Sequence, residues 1–587
     1  LQDLRISGRL IPRFTRVPGT GRPVFARHFW FDALAFALVV SFLAYVAWGM
    51  MAMSAPIGKL QQTPISLDTA HLPEYALRTT LRMLIAVVAA LLFTLIYATA
   101  AAKSRKAGQI MVPILDVLQS VPVLGYISFT LTGFIALFPG STMGVECAAI
   151  FAIFTSQAWN MAFSLYQSLK TLPHEMDEAA SVFKLSLWQK FWKMELPFAM
   201  PGLVWNTMIS MSGGWFFVVA SEAITVGNQK IMLPGIGSYI ALAIEQRDLG
   251  AIGWAIATMT VVILLYDQLL FRPLVAWSDK FRYEMTAGQE VPYSWVRNLF
   301  IKSRYARTMF IPFGWIAHAV MRIPFPKPAA LAHPISHTQA KMVDALWYVL
   351  LGITGAVALW QVSMFLNANV SASEIGDVFV MAGITLLRVM VLILLASIIW
   401  VPIGVYIGLR PRLAQLVQPL AQFLAAFPAN LFFPVAVMLI SHYGLKPNIW
   451  LSPLMILGTQ WYILFNIIAG ASAFPNDLKE VSRNLGVTGW LWWKRVILPG
   501  IFPYYLTGAL NASGGAWNAS IVSEVVSWGN VRYEAHGLGA YIANMTERGD
   551  FAHTMLGVGV MAFTVVMFNK FFWRPLYIMS ARKLRFD

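Results

Sequence analysis

The sequence predicts an all-α integral membrane protein of about twelve transmembrane helices, built as two parallel six-helix repeats with pseudo-two-fold symmetry. Three observations carry that prediction. Of 587 residues, 58% are hydrophobic and only 12% charged, about half the charged share of a soluble chain. Apolar windows of about 20 residues, the length that spans hydrocarbon, recur along the whole chain. The second half of the chain also repeats the first in a constant register.

The spans are expected near 29–53, 77–101, 111–138, 144–165, 199–223 and 251–271, then 343–366, 380–409, 419–442, 449–472, 501–526 and 551–573. Segment 1–28 is basic and lacks the short apolar core of a cleaved signal peptide, so the first span is expected to stay in the product. The predicted organisation is a basic N-terminal segment (1–28), a first permeating half (29–275), a basic amphipathic linker (276–342), a second half (343–579) and a tail (580–587). With both termini inside, 34 of the 43 Lys and Arg residues fall in segments on the inner side. That is the positive-inside bias. The net charge of +16 therefore reads as topology and contact with acidic lipid, not as a nucleic-acid surface.

The repeat is explicit. At an offset of 302, Glu178, Trp188, Pro197, Gly213, Trp215 and Glu222 match Glu480, Trp490, Pro499, Gly515, Trp517 and Glu524. The register continues through Gly235-x-Gly237-x-Tyr239 against Gly537-x-Gly539-x-Tyr541, and Arg272-Pro273 against Arg574-Pro575. Upstream the offset is 306, pairing Arg82 with Arg388, Pro113 with Pro419 and Pro122 with Pro428. An even number of spans per half gives both halves one orientation, and a pathway is expected between them.

Within the linker, Ser294–Arg322 interleaves aromatic, aliphatic and basic residues, as an interfacial helix on the lipid surface would, or an arm for a partner. His333 and His337 have metal-ligand spacing, but Pro334 follows the first and no acid intervenes, so no metal site is expected. The single cysteine, Cys147, excludes an intrachain disulfide.

The most informative segment interrupts the apolar pattern twice: DEAASVFKLSLWQKFWKMELPFAMP (177–201) and KEVSRNLGVTGWLWWKRVILPGIFP (479–503). Acids open each copy, as suits the positive end of a helix dipole. Bulky aromatics follow, and Leu-Pro ends each segment before the next span. The expected structure is a short helix and a turn between spans four and five. One copy would read as an ordinary amphipathic connector; two copies in register argue for a shared task.

These residues resemble the cytoplasmic coupling loop of the permeases of binding-protein-dependent ABC importers. Glu178-Ala179-Ala180 keeps that loop's opening while Lys184 replaces its glycine; Glu480 and Gly486 keep acid and glycine while Val481-Ser482 replaces the alanines. GGAWNASIVSEVVSWG (514–529) followed by GLGAYI (537–542) is similar to the nitrate/sulfonate/taurine branch. The resemblance implies a multi-pass protein of a prokaryotic inner membrane, with cytoplasmic termini and two separate ATPase subunits gripping the loops. Glu178, Ala179, Ala180, Lys184, Trp188 and Pro197, with Glu480, Gly486, Trp490 and Pro499, would make those contacts. It also implies a solute-binding protein on the far side and ATP-Mg bound by the partner alone. The chain has no G-x-x-x-x-G-K-[ST] phosphate loop and no catalytic constellation, so it is expected to be non-catalytic and to hold no cofactor.

Arg82 and Arg388 lie inside span two, and Glu222 and Glu524 near the end of span five. Charges at that depth need partners or water. They form structural Arg–Glu pairs, or the arginines attract an anionic cargo such as an oxyanion or sulfonate. Gln119, Ser120, Gln422, Asn206 and Asn511 are polar candidates for the pathway. The competing class is a secondary transporter with two six-helix halves, which needs no coupling loops.

Overall fold

The computed structural model describes residues 24–53, 65–120, 123–226, 229–281, 294–303, 337–472, 474 and 476–583, with scattered positions between 308 and 321. The first half runs α1 (Val24–Met53), α2 (Leu72–Lys103), α3 (Arg105–Ser120), α4 (Val123–Leu137) and α5 (Met143–Lys170). A short helix α6 (His174–Val182) follows, then α7 (Leu196–Glu222), hairpin β1 (Ala223–Val226) and β2 (Gln229–Met232), α8 (Ile236–Gln246) and α9 (Leu249–Tyr266). Helix α10 (Trp295–Lys302) precedes the second half.

That half repeats the order: α11 (His337–Asn369), α12 (Ala372–Gly408), α13 (Pro411–Ala426), α14 (Phe433–Tyr443), α15 (Ser452–Leu457) and α16 (Trp461–Ser472). The short helix α17 (Asn476–Asn484), α18 (Leu498–Ser523), β3 (Val525–Trp528) and β4 (Val531–Glu534), α19 (Leu538–Arg548) and α20 (Phe551–Phe568) complete it. Both hairpins are antiparallel, with Ala223 opposite Met232 and Val525 opposite Glu534. Gly529, at φ 58, supplies the left-handed turn that a two-residue hairpin loop requires.

Among the described residues, eight helices are long and apolar enough to cross a membrane. Two bent pairs, Arg412–Ala426 with Ala429–Tyr443 (75°) and Pro447–Leu457 with Trp461–Ser472 (43°), raise the number to ten. The other two expected spans fall on α3–α4 and on α18. Helix α18 has 26 residues, enough length, but Thr507, Asn511, Ser513, Asn518 and Ser520 dilute its apolar character.

The Leu-Pro pairs do not end the interrupting segments as the sequence pattern predicts. The helix resumes at Leu187 and continues to Glu222 as one 36-residue rod. Proline lacks an N–H, and its ring collides with the carbonyl four residues back. A wide π-turn relieves that conflict at Phe191–Glu195, just before Leu196-Pro197, and at Trp493–Ile497, before Leu498-Pro499. The same device precedes Arg272-Pro273 (Asp267–Phe271) and Arg574-Pro575 (Asn569–Trp573).

The two halves share their cores. Ala426 and Leu431 of the second half are buried in the cluster around Trp215 of the first, and Leu124 of the first is buried in the cluster around Trp517. Helix α13 packs on α7, and α4 packs on α18, α19 and α20. By contrast, the apolar stretch of α11 is exposed all round, as a lipid-facing helix is. The described start of the linker is docked on the protein. Val296 and Leu299 of α10 are buried, and the buried Ser303 hydroxyl donates to Asp32 of α1 at 2.8 Å. Most of 304–336, including His333, lies outside the described residues.

Candidate functional site

Helices α6 and α17 stand at the same end of the bundle and close in the same way. At α6, Lys184 N–H donates to Ser181 O and Leu185 N–H to Ala180 O, both at 3.0 Å. At α17, Gly486 N–H donates to Arg483 O (3.1 Å) and Val487 N–H to Ser482 O (2.9 Å). Each pair is a Schellman motif, which needs a left-handed residue after the helix. Gly486 takes it at φ 65 and Lys184, without glycine's freedom, at φ 49. Ala180 and its counterpart Ser482 are buried against the bundle, whereas Glu178 and Glu480 point away from it and are exposed. His174 lies 3.6 Å from the Glu178 carboxylate. Trp188 and Trp490 lie beyond the turn, where the rods begin. Trp490 is exposed, and Trp188 packs edge-on to Trp192 at 5.6 Å.

The roots of the two short helices differ. Behind α6, Lys190 pairs with Asp177 (2.7 Å) and Lys103 with the buried Glu195 (2.8 Å), beside a cavity that Lys170 also lines. In the second half Leu409, Trp492 and Ile497 stand in place of Lys103, Lys190 and Glu195, with Lys479 in place of Asp177; Ile497 is buried in that half's core, and Leu409 and Trp492 pack against the core.

Toward the opposite end, each half holds a buried arginine–glutamate cluster. Arg82 Nη1 donates to Glu222 Oε1 at 2.6 Å, while Nε and Nη2 grip Glu146 bidentately at 2.6 and 2.8 Å. Glu222 also accepts from the Thr79 hydroxyl and the Gly237 N–H, both at 2.7 Å. The second half keeps the plan: Arg388 Nη1 and the Thr385 hydroxyl donate to Glu524 Oε1 at 3.0 Å, and Ala540 N–H donates to Oε2 at 3.0 Å. Position 448, however, is Asn where the first half has Glu146, and Asn448 accepts from His536 N–H instead. Arg82 is fully buried with two carboxylates; Arg388 is 12% exposed with one.

The glycine motifs serve these acids. Gly235 and Gly537 are extended, at φ 176 and −172, so no special torsion demands glycine. A Cβ on Gly235 would lie 2.3 Å from the Glu222 carboxyl carbon, and one on Gly537 2.4 Å from Glu524 Oε2. Glycine is there to let backbone approach the buried carboxylate. Sequence reasoning missed Glu146, Thr79 and Thr385. The threonines had a usable signal, being matched at the offset of 306 and one helical turn before each arginine.

The polar pathway candidates separate. Asn206 is engaged within the first half, donating to Ser164 Oγ (2.8 Å) and Gly202 O (3.0 Å). Gln422 reaches across to the Met208 sulfur. Gln119 is exposed, and the side chain of Ser120 lies outside the described residues. Asn511 is half-buried with no hydrogen-bonding partner among the described residues. The halves also meet through Trp205 stacked on Phe465 at 5.2 Å, Val123 N–H donating to Asn518 Oδ1 at 2.8 Å, and Gly529 N–H donating to Ile244 O at 3.0 Å.

Residues 90–272 and again 400–575 match the family described as binding-protein-dependent transport system inner membrane component. Similar curated proteins include the bicarbonate transport system permease protein CmpB of Synechococcus elongatus, 28% identical over 178 residues, 30% of this chain and 60% of that protein. The nitrate import permease protein NrtB of Leptolyngbya laminosa is 26% identical over 186 residues, 32% of this chain and 63% of its own. The glycine betaine/proline betaine transport system permease protein ProW of Escherichia coli is 26% identical over 239 residues, 38% and 64% respectively. The chain thus spans less than two thirds of the length of each of these relatives. With the family's domain matched once in each half, the chain belongs to the inner-membrane permeases of binding-protein-dependent ABC importers, as a multi-pass protein with two permease units fused in tandem.

Proposed function

We propose that this chain forms the translocation pathway of an ATP-driven importer, between its two halves, and is moved by two separate ATPase subunits seated on α6 and α17. The observation that carries this reading is the pair of nine-residue helices, 302 residues apart, with the same Schellman closure and an outward acid at the same position. Each short helix is tied to a long rod that starts a few residues later, so a push on α6 or α17 reaches α7 or α18 directly. Twelve spans with cytoplasmic termini follow from pairing α3 with α4 and counting α18, and agree with the distribution of basic residues. ATP-Mg would sit on the ATPase partners, and a solute-binding protein would deliver cargo at the opposite face.

The cargo proposed is a small anion, an oxyanion or sulfonate; relatives named for bicarbonate and nitrate transport support that class. Three of the five N–H donors of Arg82 are engaged by Glu146 and Glu222 and its side chain is fully buried, which supports a structural role. Arg388 has one carboxylate partner and partial exposure, so it is the better placed of the two to meet an anion. The test is uptake by the full complex in proteoliposomes. Uptake that requires ATP hydrolysis supports the reading; uptake driven by an ion gradient without ATP overturns it in favour of a secondary transporter.

A further inference from the structure

We propose that the cargo site belongs to one wall of the pathway: a polar stripe on α18, completed by Tyr462, that takes a small planar monoanion. This rests on the importer reading above and deepens it. Thr507, Asn511, Gly514 and Asn518 fall at spacings of four, three and four, one face of a helix. None of them is buried, although Gly508, Ala512, Ala516 and Trp517 on the neighbouring faces are. The stripe faces the first half, because Asn518 accepts from Val123 of α4. At its middle, a Cβ on Gly514 would meet nothing within 4 Å, so space opens there.

The opposing wall is different in kind. The positions equivalent to the stripe on α7 are Trp205, Ile209, Ser212 and Phe216. Trp205 stacks on Phe465, and Phe216 packs against the second half's cores. Tyr462 bridges the two walls. Its carbonyl lies against Gly508 of α18, and its hydroxyl lies where a Cβ on Gly213 of α7 would be only 2.8 Å away. That hydroxyl has no hydrogen-bonding partner among the described residues. Just before it, span four breaks at 458–460, bending 43°, whereas α5 runs unbroken through the equivalent positions. The buried Thr459 Oγ1 in that break is also unpartnered. Broken helices beside a pathway are where transporters hold cargo.

The chemistry selects the ligand. Neither α7 nor α18 contains Lys or Arg, so the donors are neutral: the Asn511 amide and the Tyr462 hydroxyl. Neutral donors hold a monoanion without trapping it, which conduction requires. A dianion, whose desolvation cost rises with the square of its charge, would be under-compensated. An aromatic and aliphatic wall facing an amide wall suits the flat face and polar edge of a trigonal oxyanion.

The experiment uses the full complex with its ATPase and binding protein in proteoliposomes, with nitrate, bicarbonate and sulfate as probes. Asn511→Ala should raise KM for the trigonal anion transported by about tenfold, the loss of one hydrogen bond to a charged group. Leu359→Ala, exposed on α11 and outside both walls, should leave KM within about twofold, since it touches neither the donors nor the facing wall. Gly514→Val should abolish uptake, and Tyr462→Phe should raise KM, with basal ATP hydrolysis and co-purified ATPase unchanged in every variant. Wild-type KM in both Asn511→Ala and Tyr462→Phe overturns the site while leaving the importer reading intact. Sulfate carried in preference to nitrate and bicarbonate overturns the planar-monoanion assignment. Wild-type complex that carries none of the three overturns this site and the anion cargo together.

Discussion

Replacing Arg82 by Gln should unfold more of the protein than replacing Arg388. The substitution at 82 strands two carboxylates, Glu146 and Glu222, whose side chains are 2% and 0% exposed and which lose three hydrogen bonds between them. Removing one partner of a buried ion pair costs about 3–5 kcal/mol, mostly from the charge left behind. Arg388→Gln strands only Glu524, which keeps the Thr385 hydroxyl and the Ala540 N–H, so its cost should be about 1.5–3 kcal/mol, one charged hydrogen bond. The double variant Arg82→Gln/Glu222→Gln should recover part of the loss. Glu146→Asn, which installs the second half's arrangement, should be milder than Arg82→Gln because Arg82 keeps Glu222. The assay is the fraction of detergent-purified protein that stays monodisperse after stepped heating. Wild-type stability in Arg82→Gln, or a larger loss in Arg388→Gln, would refute the reasoning.

Other variants test separate parts of the structure. Lys184→Gly relieves a left-handed lysine and should stabilise by about 0.5–1 kcal/mol, while Gly486→Ala should cost about 1 kcal/mol; thermal melting of the purified protein checks both signs. Gly235→Ala must push the buried Glu222 carboxylate aside and should cost about 1–3 kcal/mol or more, read in the same heating assay. For topology, single cysteines at Arg105 and Ser373, both exposed, should react with an impermeant thiol reagent from opposite faces of the membrane in a Cys147→Ser background. Labelling of both from outside would contradict the proposed orientation.

Much of the architecture was legible because the chain says it twice. Matched prolines, tryptophans and glutamates at a constant offset identify equivalent positions, and apolar windows locate the long helices. The features that escaped are those without a repeat partner or a periodic trace. Glu146 is one acid in the first turn of an apolar helix, and its counterpart is Asn448, so no matched pair drew attention to it. The π-turns leave no mark on hydrophobic periodicity; only the X-Pro pairs inside expected helices hinted at them. The break at 458–460 arises where the first half reads Ser-Gln-Ala and the second Gly-Thr-Gln, poorer helix formers. Lys184 could be assigned to a left-handed turn through its register with Gly486, and the structure has it there. The charged root of α6 was illegible, since Lys103, Asp177, Lys190 and Glu195 come from segments that only packing brings together.

An ATP-driven mechanism requires α6 and α17 to be the surfaces that the motor holds. Glu178→Lys and Glu480→Lys each place a positive charge on an exposed helix face that no part of the bundle covers, so both variants should insert and fold as wild type. A reversed charge at a contact costs affinity for the partner, not stability of the chain. Purified with its ATPase subunits, each variant should carry less ATPase and show lower transport-stimulated ATP turnover, with Glu480→Lys the more harmful. Wild-type amounts of bound ATPase and wild-type turnover in both variants would mean that the two short helices are plain connectors, and would contradict the account.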